Sequence, residues 1–159
     1  MKYDFASVWE MISDIIPGHD ALICGDKKVS WQEYDDHASR IASQLSDAGL
    51  SANSKVGHYL NNSNEYLICQ FAIFKIGGVP INVNYRYVEE ELIYLLDNSD
   101  SEAVFYHACY SDRIKEISKS LPHIKLWIEI SDNTESNFDS CVNYENIISN
   151  FSCMNRIHR

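Results

Sequence analysis

Several short motifs that mark nucleotide and ester chemistry are missing from this chain. Its 159 residues hold no GxxxxGK[ST] phosphate loop, no GxGxxG dinucleotide turn and no GxSxG nucleophile elbow. Walker-type NTPases, fingerprint-bearing dehydrogenases and α/β-hydrolases are excluded on that ground. Glycine (6) and proline (3) are scarce, which excludes collagen-like repeats and low-complexity linkers. Positive charge is short: 13 Lys and Arg stand against 23 Asp and Glu, a formal net charge of −10. Phosphate backbones and anionic lipid repel such a chain, so nucleic acid and membrane surfaces are poor partners. No long apolar run occurs. The most apolar stretch, Tyr66 to Ile76, is interrupted by Gln70 and Lys75 and is too short to span a bilayer. The start, Met1-Lys2-Tyr3-Asp4-Phe5, is not expected to be a secretory signal. The five cysteines (Cys24, Cys69, Cys109, Cys141, Cys153) form no CxxC. Free thiols in a reducing cytoplasm are the expectation.

What is present is an ordinary globular composition, 45% hydrophobic and 23% charged. A chain of this length makes about one domain and buries roughly 70% of its unfolded surface. Residues 3–16 carry apolar side chains at helical spacing, stopped by Pro17-Gly18. Two short runs around Gly25-Asp26 predict a small β-hairpin near residues 21–30. Ser30-Trp31-Gln32-Glu33 is a capping box opening a helix with the stripe Trp31, Tyr34, Ala38, Ile41, Ala42 and Leu45. Strands are predicted over 55–60, 79–83, 103–106 and 124–130. Helices are predicted over 65–76, 88–96 and 110–120, with a further turn or two over 144–148. The 65–76 helix is apolar nearly all round and is expected to be buried. Residues 131–140 read as a surface loop. This alternation predicts an α/β fold, with a partly parallel sheet flanked by helices on both faces.

Individual side chains offer little chemistry by themselves. His107 with Cys109, and Cys153 with His158, lack the tighter paired spacing of structural zinc sites. His37 is expected to be solvated, and His58 and His107 to be structural histidines in or beside strands. Asp35-Asp36 reads as a solvated face, and Glu89-Glu90-Glu91 as a helix first turn favoured by the dipole. Gly77-Gly78 follows a helix, so chain reversal and close packing are its expected role.

A set of linked blocks is more specific. Val29-Ser30-Trp31-Gln32-Glu33-Tyr34 is followed by Phe74-Lys75-Ile76-Gly77-Gly78-Val79-Pro80-Ile81-Asn82. Then come Val83-Asn84-Tyr85-Arg86-Tyr87, Glu91-Leu92 and Tyr94-Leu95-Leu96. In this order they resemble the N-terminal part of the adenylate-forming (AMP-binding) superfamily, most closely a fatty acyl-CoA synthetase. The family-motif residues are Trp31, Glu33, Lys75, Gly77, Gly78, Pro80, Asn82, Tyr85 and Arg86. His58 and Gly57 depart from the small apolar pair usual in that strand. The resemblance implies that a full enzyme activates a carboxylic acid with ATP and Mg²⁺ and passes the acyl group to CoA. It implies that residues 1–159 form the leading portion of one AMP-binding domain. The family's YTSGTTGxPKG-type phosphate loop does not occur here, and no catalytic, cofactor-binding or metal residue is carried over. The chain is therefore expected to be inactive alone, to bind no cofactor itself, and to work with the remainder of the enzyme in cis or in trans. Such a segment should expose apolar surface normally covered by its larger domain. Lys75 is expected to be a helix-end lysine near the C-terminal dipole, with a place near a CoA entrance as the other reading. Tyr85, Arg86 and Tyr87 could line an acyl or nucleotide pocket or simply pack at a surface. Two further readings stay open: a non-catalytic α/β assembly module that pairs with a separate catalytic chain, and an unrelated doubly wound domain.

Overall fold

Ser30 shows how local chemistry sets the first elements. The computed structural model describes residues 4–157. In it the Ser30 hydroxyl accepts from the Glu33 amide at 3.2 Å, and Glu33 accepts from the Ser30 amide at 2.8 Å. This capping box starts α2 (Trp31–Asp47). Before it lie α1 (Phe5–Ile15) and the antiparallel hairpin β1 (Asp20–Cys24) and β2 (Lys27–Ser30). Tyr3, where the sequence pattern starts α1, lies outside the described residues, as does His158. After α2 the chain alternates. It runs β3 (Lys55–Tyr59), α3 (Asn64–Lys75), β4 (Val79–Asn82), α4 (Glu89–Asn98) and β5 (Ser101–His107). It continues through a 3₁₀ turn to α5 (Ser111–Ser118), β6 (Leu126–Ile130), β7 (Val142–Asn143) and α6 (Tyr144–Asn150).

The main sheet is wholly parallel, in the order β4-β3-β5-β6-β7. One face carries Val56, Leu60, Ala103, Phe105, Ile128 and Ile130 in one core with α2, α3 and α6, and α1 packs on α2 and α3. The other carries Tyr59, Val104, Tyr106 and Trp127 against Leu92 and Leu96 of α4 and Ile114 and Ile117 of α5. Each fully buried leucine there removes apolar area worth about 1.5–3 kcal/mol from water. Helices on both faces and the hairpin near 21–30 are as the sequence pattern requires. β7 is an addition, because two residues are too short for periodicity to register. The helix predicted over 110–120 is α5, and a 3₁₀ turn over residues 108–110 leads into it.

Gly77 and Gly78 act at the amino end of the sheet. Gly77 has φ +72°, the left-handed conformation that ends α3. A Cβ on Gly78 would lie 2.9 Å from Ile73 Cγ2 and 3.0 Å from the Ser54 carbonyl oxygen. Only glycine lets β4 leave α3 this closely.

Two charged readings need correction. Lys75 does end α3, but its ammonium turns inward and is 2% exposed. It pairs with Glu10 of α1 at 2.9 Å and with Asp35 of α2. Asp35 is therefore not part of a solvated face, although Asp36 is exposed. Three helices bring these groups together from distant positions, so no local spacing encodes the cluster. His37 is half-buried, and burial lowers its pKa against the opposing pull of Glu33.

Candidate functional site

The order of the strands locates the site. The chain runs from β3 out to β4, then returns past β3 to form β5 on its other side. Such a reversal leaves a crevice outside the carboxyl ends of the two central strands, where open α/β sheets hold their ligands. Here β3 leads into Asn61, and β5 ends at His107. The Asn61 amide donates to His107 Nδ1 at 3.2 Å, and the Tyr110 hydroxyl donates to Asn61 Oδ1 at 3.0 Å. With Nδ1 accepting, neutral His107 carries its proton on Nε2. Burial lowers the His107 pKa despite the charges of Asp132 and Glu65, so the neutral ring is the form held at pH 7. Asp132, just beyond β6, accepts the Cys109 amide at 3.1 Å. Ser63 caps α3 by accepting the Tyr66 amide at 3.2 Å.

A second group of contacts lies beside these on the α4–α5 face. Arg113 Nη1 donates to the Tyr59 hydroxyl at 2.6 Å and to the Tyr87 carbonyl at 3.2 Å. Its Nε reaches Glu89 at 3.2 Å, and Tyr59 itself donates to the Tyr87 carbonyl at 2.9 Å. The segment after β4 is thus tied to α5 and to the carboxyl end of β3. An open groove of about 340 Å³ lies alongside, lined by Tyr87, Glu90, Glu91, Tyr94 and Leu95. Another, about 270 Å³, runs between β1 and the start of α3 and includes Asn62 and Ser63.

The motif residues do not gather at one point. Trp31 and Glu33 lie at the start of α2, where Glu33 accepts the Ser30 amide. Lys75, Gly77, Gly78 and Pro80 lie toward the amino end of the sheet. Asn82, Tyr85 and Arg86 lie at and beyond the carboxyl end of β4. There Asn82 Oδ1 accepts from the Tyr66 hydroxyl at 3.1 Å, and Arg86 sits over the Tyr85 ring at 5.5 Å. The motif stretch 74–82 therefore spans the sheet from end to end. Residues such as Asn61, Tyr110 and Arg113 carry no motif. Their positions just after parallel strands, or facing them from α5, were the only available signal.

Hydrogen-bond donors and acceptors at the carboxyl end are plentiful, but few charges are free there. Among the described residues no group of three or more His, Cys, Asp or Glu comes together to hold a metal. The acidic cluster elsewhere, Glu10 with Asp35, is matched by Lys75 and by Arg156 on Asp35 at 3.0 Å. No helix among the described residues is long and apolar enough to cross a membrane.

Comparison with known proteins agrees with this architecture. The profile of the AMP-binding enzyme family matches residues 15–149. A medium/long-chain-fatty-acid–CoA/3-oxocholest-4-en-26-oate–CoA ligase of Mycobacterium tuberculosis is 36% identical over 135 residues, 85% of this chain and 25% of the ligase. A 3-oxocholest-4-en-26-oate–CoA ligase of Rhodococcus rhodochrous is 35% identical, covering 88% of this chain and 25% of its own length. The solved structure of acetoacetyl-CoA synthetase from Streptomyces lividans superposes with a TM-score of 0.86 at 17% identity, over 98% of this chain and 26% of the synthetase. The chain thus spans about a quarter of the ligases it matches and corresponds to their N-terminal part. The parallel sheet, its two helical layers and the matched sequence blocks together place the chain in the AMP-binding enzyme family.

Proposed function

We propose that this chain supplies the N-terminal sheet of an acyl-CoA ligase and acts only with the remaining part of that enzyme. In the complete machinery a carboxylate oxygen attacks the α-phosphorus of ATP and pyrophosphate leaves. The CoA thiol then attacks the acyl carbon and AMP leaves, with the thiol proton passing to a base. A fatty or related carboxylic acid is the substrate class, by likeness to the ligases above. The cytoplasm, where ATP and CoA are at hand, is the proposed location.

The observation that carries this reading is the match of residues 15–149 to the family together with the lack of any Gly/Ser/Thr-rich phosphate loop in the same 159 residues. Phosphate transfer needs preorganised donors around the developing charge. The carboxyl end of this sheet offers a neutral histidine, amides and hydroxyls, and Arg113 is engaged by Tyr59 and Glu89. No group of three or more His, Cys, Asp or Glu comes together among the described residues, and no step is assigned to Mg²⁺ in this chain. The role proposed for Asn82, Tyr85 and Arg86 is to shape the wall on which the remaining domain closes. Trp31, Glu33, Lys75, Gly77, Gly78 and Pro80 hold the fold.

Pyrophosphate release by the purified chain, with ATP, Mg²⁺, CoA and a series of fatty acids, tests this. No turnover above a protein-free blank is expected. Turnover by the chain alone would overturn the reading.

A further inference from the structure

Beyond α6, residues 151–157 form neither helix nor strand, yet they are stitched to α2. The Arg40 guanidinium donates to the Phe151 carbonyl at 2.6 Å, and the Ser39 hydroxyl donates to the Met154 carbonyl at 2.9 Å. The Met154 amide donates back to the Ser39 carbonyl at 3.3 Å. Phe151 and Met154 also pack, partly buried, against the core that α2 shares with α3 and α6. Helix α2 therefore holds this strap largely through backbone groups, which any residue type offers. A segment without a hydrogen-bond ladder of its own stays docked only while such contacts outweigh its conformational entropy.

One side chain of the strap makes its docking specific. Arg156 reaches into a notch between α1 and α2. Its Nη1 and Nη2 donate to the two carboxylate oxygens of Asp14 on α1, at 2.7 and 2.9 Å, as a bidentate fork. Nη2 also donates to Asp35 of α2 at 3.0 Å and to the Glu10 carbonyl at 3.4 Å. One guanidinium thus joins the strap to two helices. The notch itself is built without the strap. Trp9 lies against Tyr34 and Phe71, and Glu10 pairs with Lys75, so α1 is fixed on α2 and α3. An open groove of about 370 Å³ shares Asp14 and Asp35 with the notch and continues past Asp36 and Gln32. The Arg156 hydrogen bond holds the Asp14 carboxyl below its usual pKa. Arg156 and Asp14 nevertheless stay open to water, 41% and 59% exposed. Ion pairs at that exposure are weak one by one and are screened by salt.

We infer that Arg156 is a reversible latch: its guanidinium bolts the 151–157 strap into a preformed acidic notch of α1 and α2, and ionic strength sets how often the strap is released. The strap is the moving part, because its charged anchor is exposed while that of α1, Glu10 on Lys75, is buried. Release uncovers Ser39 and the notch and leaves the sheet and α1 in place. The proposed ligase role stands apart from this device, because it is read by pyrophosphate release.

Hydrogen exchange of the whole chain tests this, read by mass spectrometry over a peptide that contains Met154 and over β5. Arg156→Gln and Asp14→Asn should each speed exchange in the strap about three- to tenfold, with β5 and the circular dichroism unchanged. The double variant should be no faster than Arg156→Gln alone, since both changes remove the same fork. Raising the salt from about 0.1 M to about 1 M shrinks the screening length from about 10 Å to about 3 Å. That change should speed strap exchange in the unaltered chain and have no such effect in Arg156→Gln. Strap exchange indifferent to Arg156→Gln, a double variant in which the two effects add, or a salt response that survives the substitution would overturn the inference.

Discussion

The two ends of the parallel sheet are built on different principles. At the amino end everything is closed. Gly78 has no room for a Cβ, and Lys75 is sunk between Glu10 and Asp35. At the carboxyl end the strands run out into Asn61, Asn82 and His107, whose partners are hydrogen bonds among loops and helix starts. The difference separates a support from a working surface. Substitutions at the amino end should cost folding stability. Those at the carboxyl end should cost little stability and act on the assembled enzyme.

The largest effect is expected from Lys75→Met. It takes the ammonium away from Glu10 and Asp35 in a nearly dry site, where Asp35 keeps Arg156 at 3.0 Å, and removing one partner of a buried pair costs about 3–5 kcal/mol. Chemical denaturation would read this as a lower midpoint at constant slope. An unchanged midpoint would show that the amino end is not the support described here.

Acid should expose the next weakness. His58 lies inside the sheet, 1% exposed, with Nε2 unpartnered, and burial lowers its pKa to about 4. The unfolded chain binds this proton at about pH 6.5 and the folded chain only near pH 4. Stability is thus full above pH 6.5 and falls as pH drops toward 4, by about 3 kcal/mol in total. His58→Leu should flatten the melting temperature across that window, and an equally steep profile in the variant would assign acid sensitivity elsewhere.

Gly78→Ala should cost about 1–3 kcal/mol through overpacking against Ile73 and the Ser54 carbonyl. Tyr110→Phe, at the other end, removes one hydrogen bond to Asn61 and should cost about 1 kcal/mol or less. If Tyr110→Phe proved as destabilising as Gly78→Ala, the contrast between the two ends would fail.

Much of the support was legible in the sequence, and less of the working surface. Ser30 and Glu33 announce α2 because a capping box is local, three residues apart. Gly77-Gly78 announces a tight reversal for the same reason. Lys75 could not be read as buried, since its partners lie 65 and 40 residues away and meet only when α1, α2 and α3 pack. Asp35 was misread as solvated for that reason. The carboxyl end escaped motif reading because its residues are ordinary types, Asn, Tyr and Arg, made special by strand order. The helical period in α1 was plain, but its inward face carries Glu10 onto Lys75 and Trp9 onto Tyr34 and Phe71, partners that meet it only in the packed fold.

The central claim is that this sheet serves an acyl-CoA ligase but needs the rest of the enzyme for chemistry. The most direct measurement is pyrophosphate release by the chain alone and after adding the remaining part of a related ligase, beginning at its phosphate loop. The account predicts none from either part alone and fatty-acid-dependent release from the mixture. Turnover by the chain alone, or a mixture that binds yet gains no activity over the added part, would contradict it.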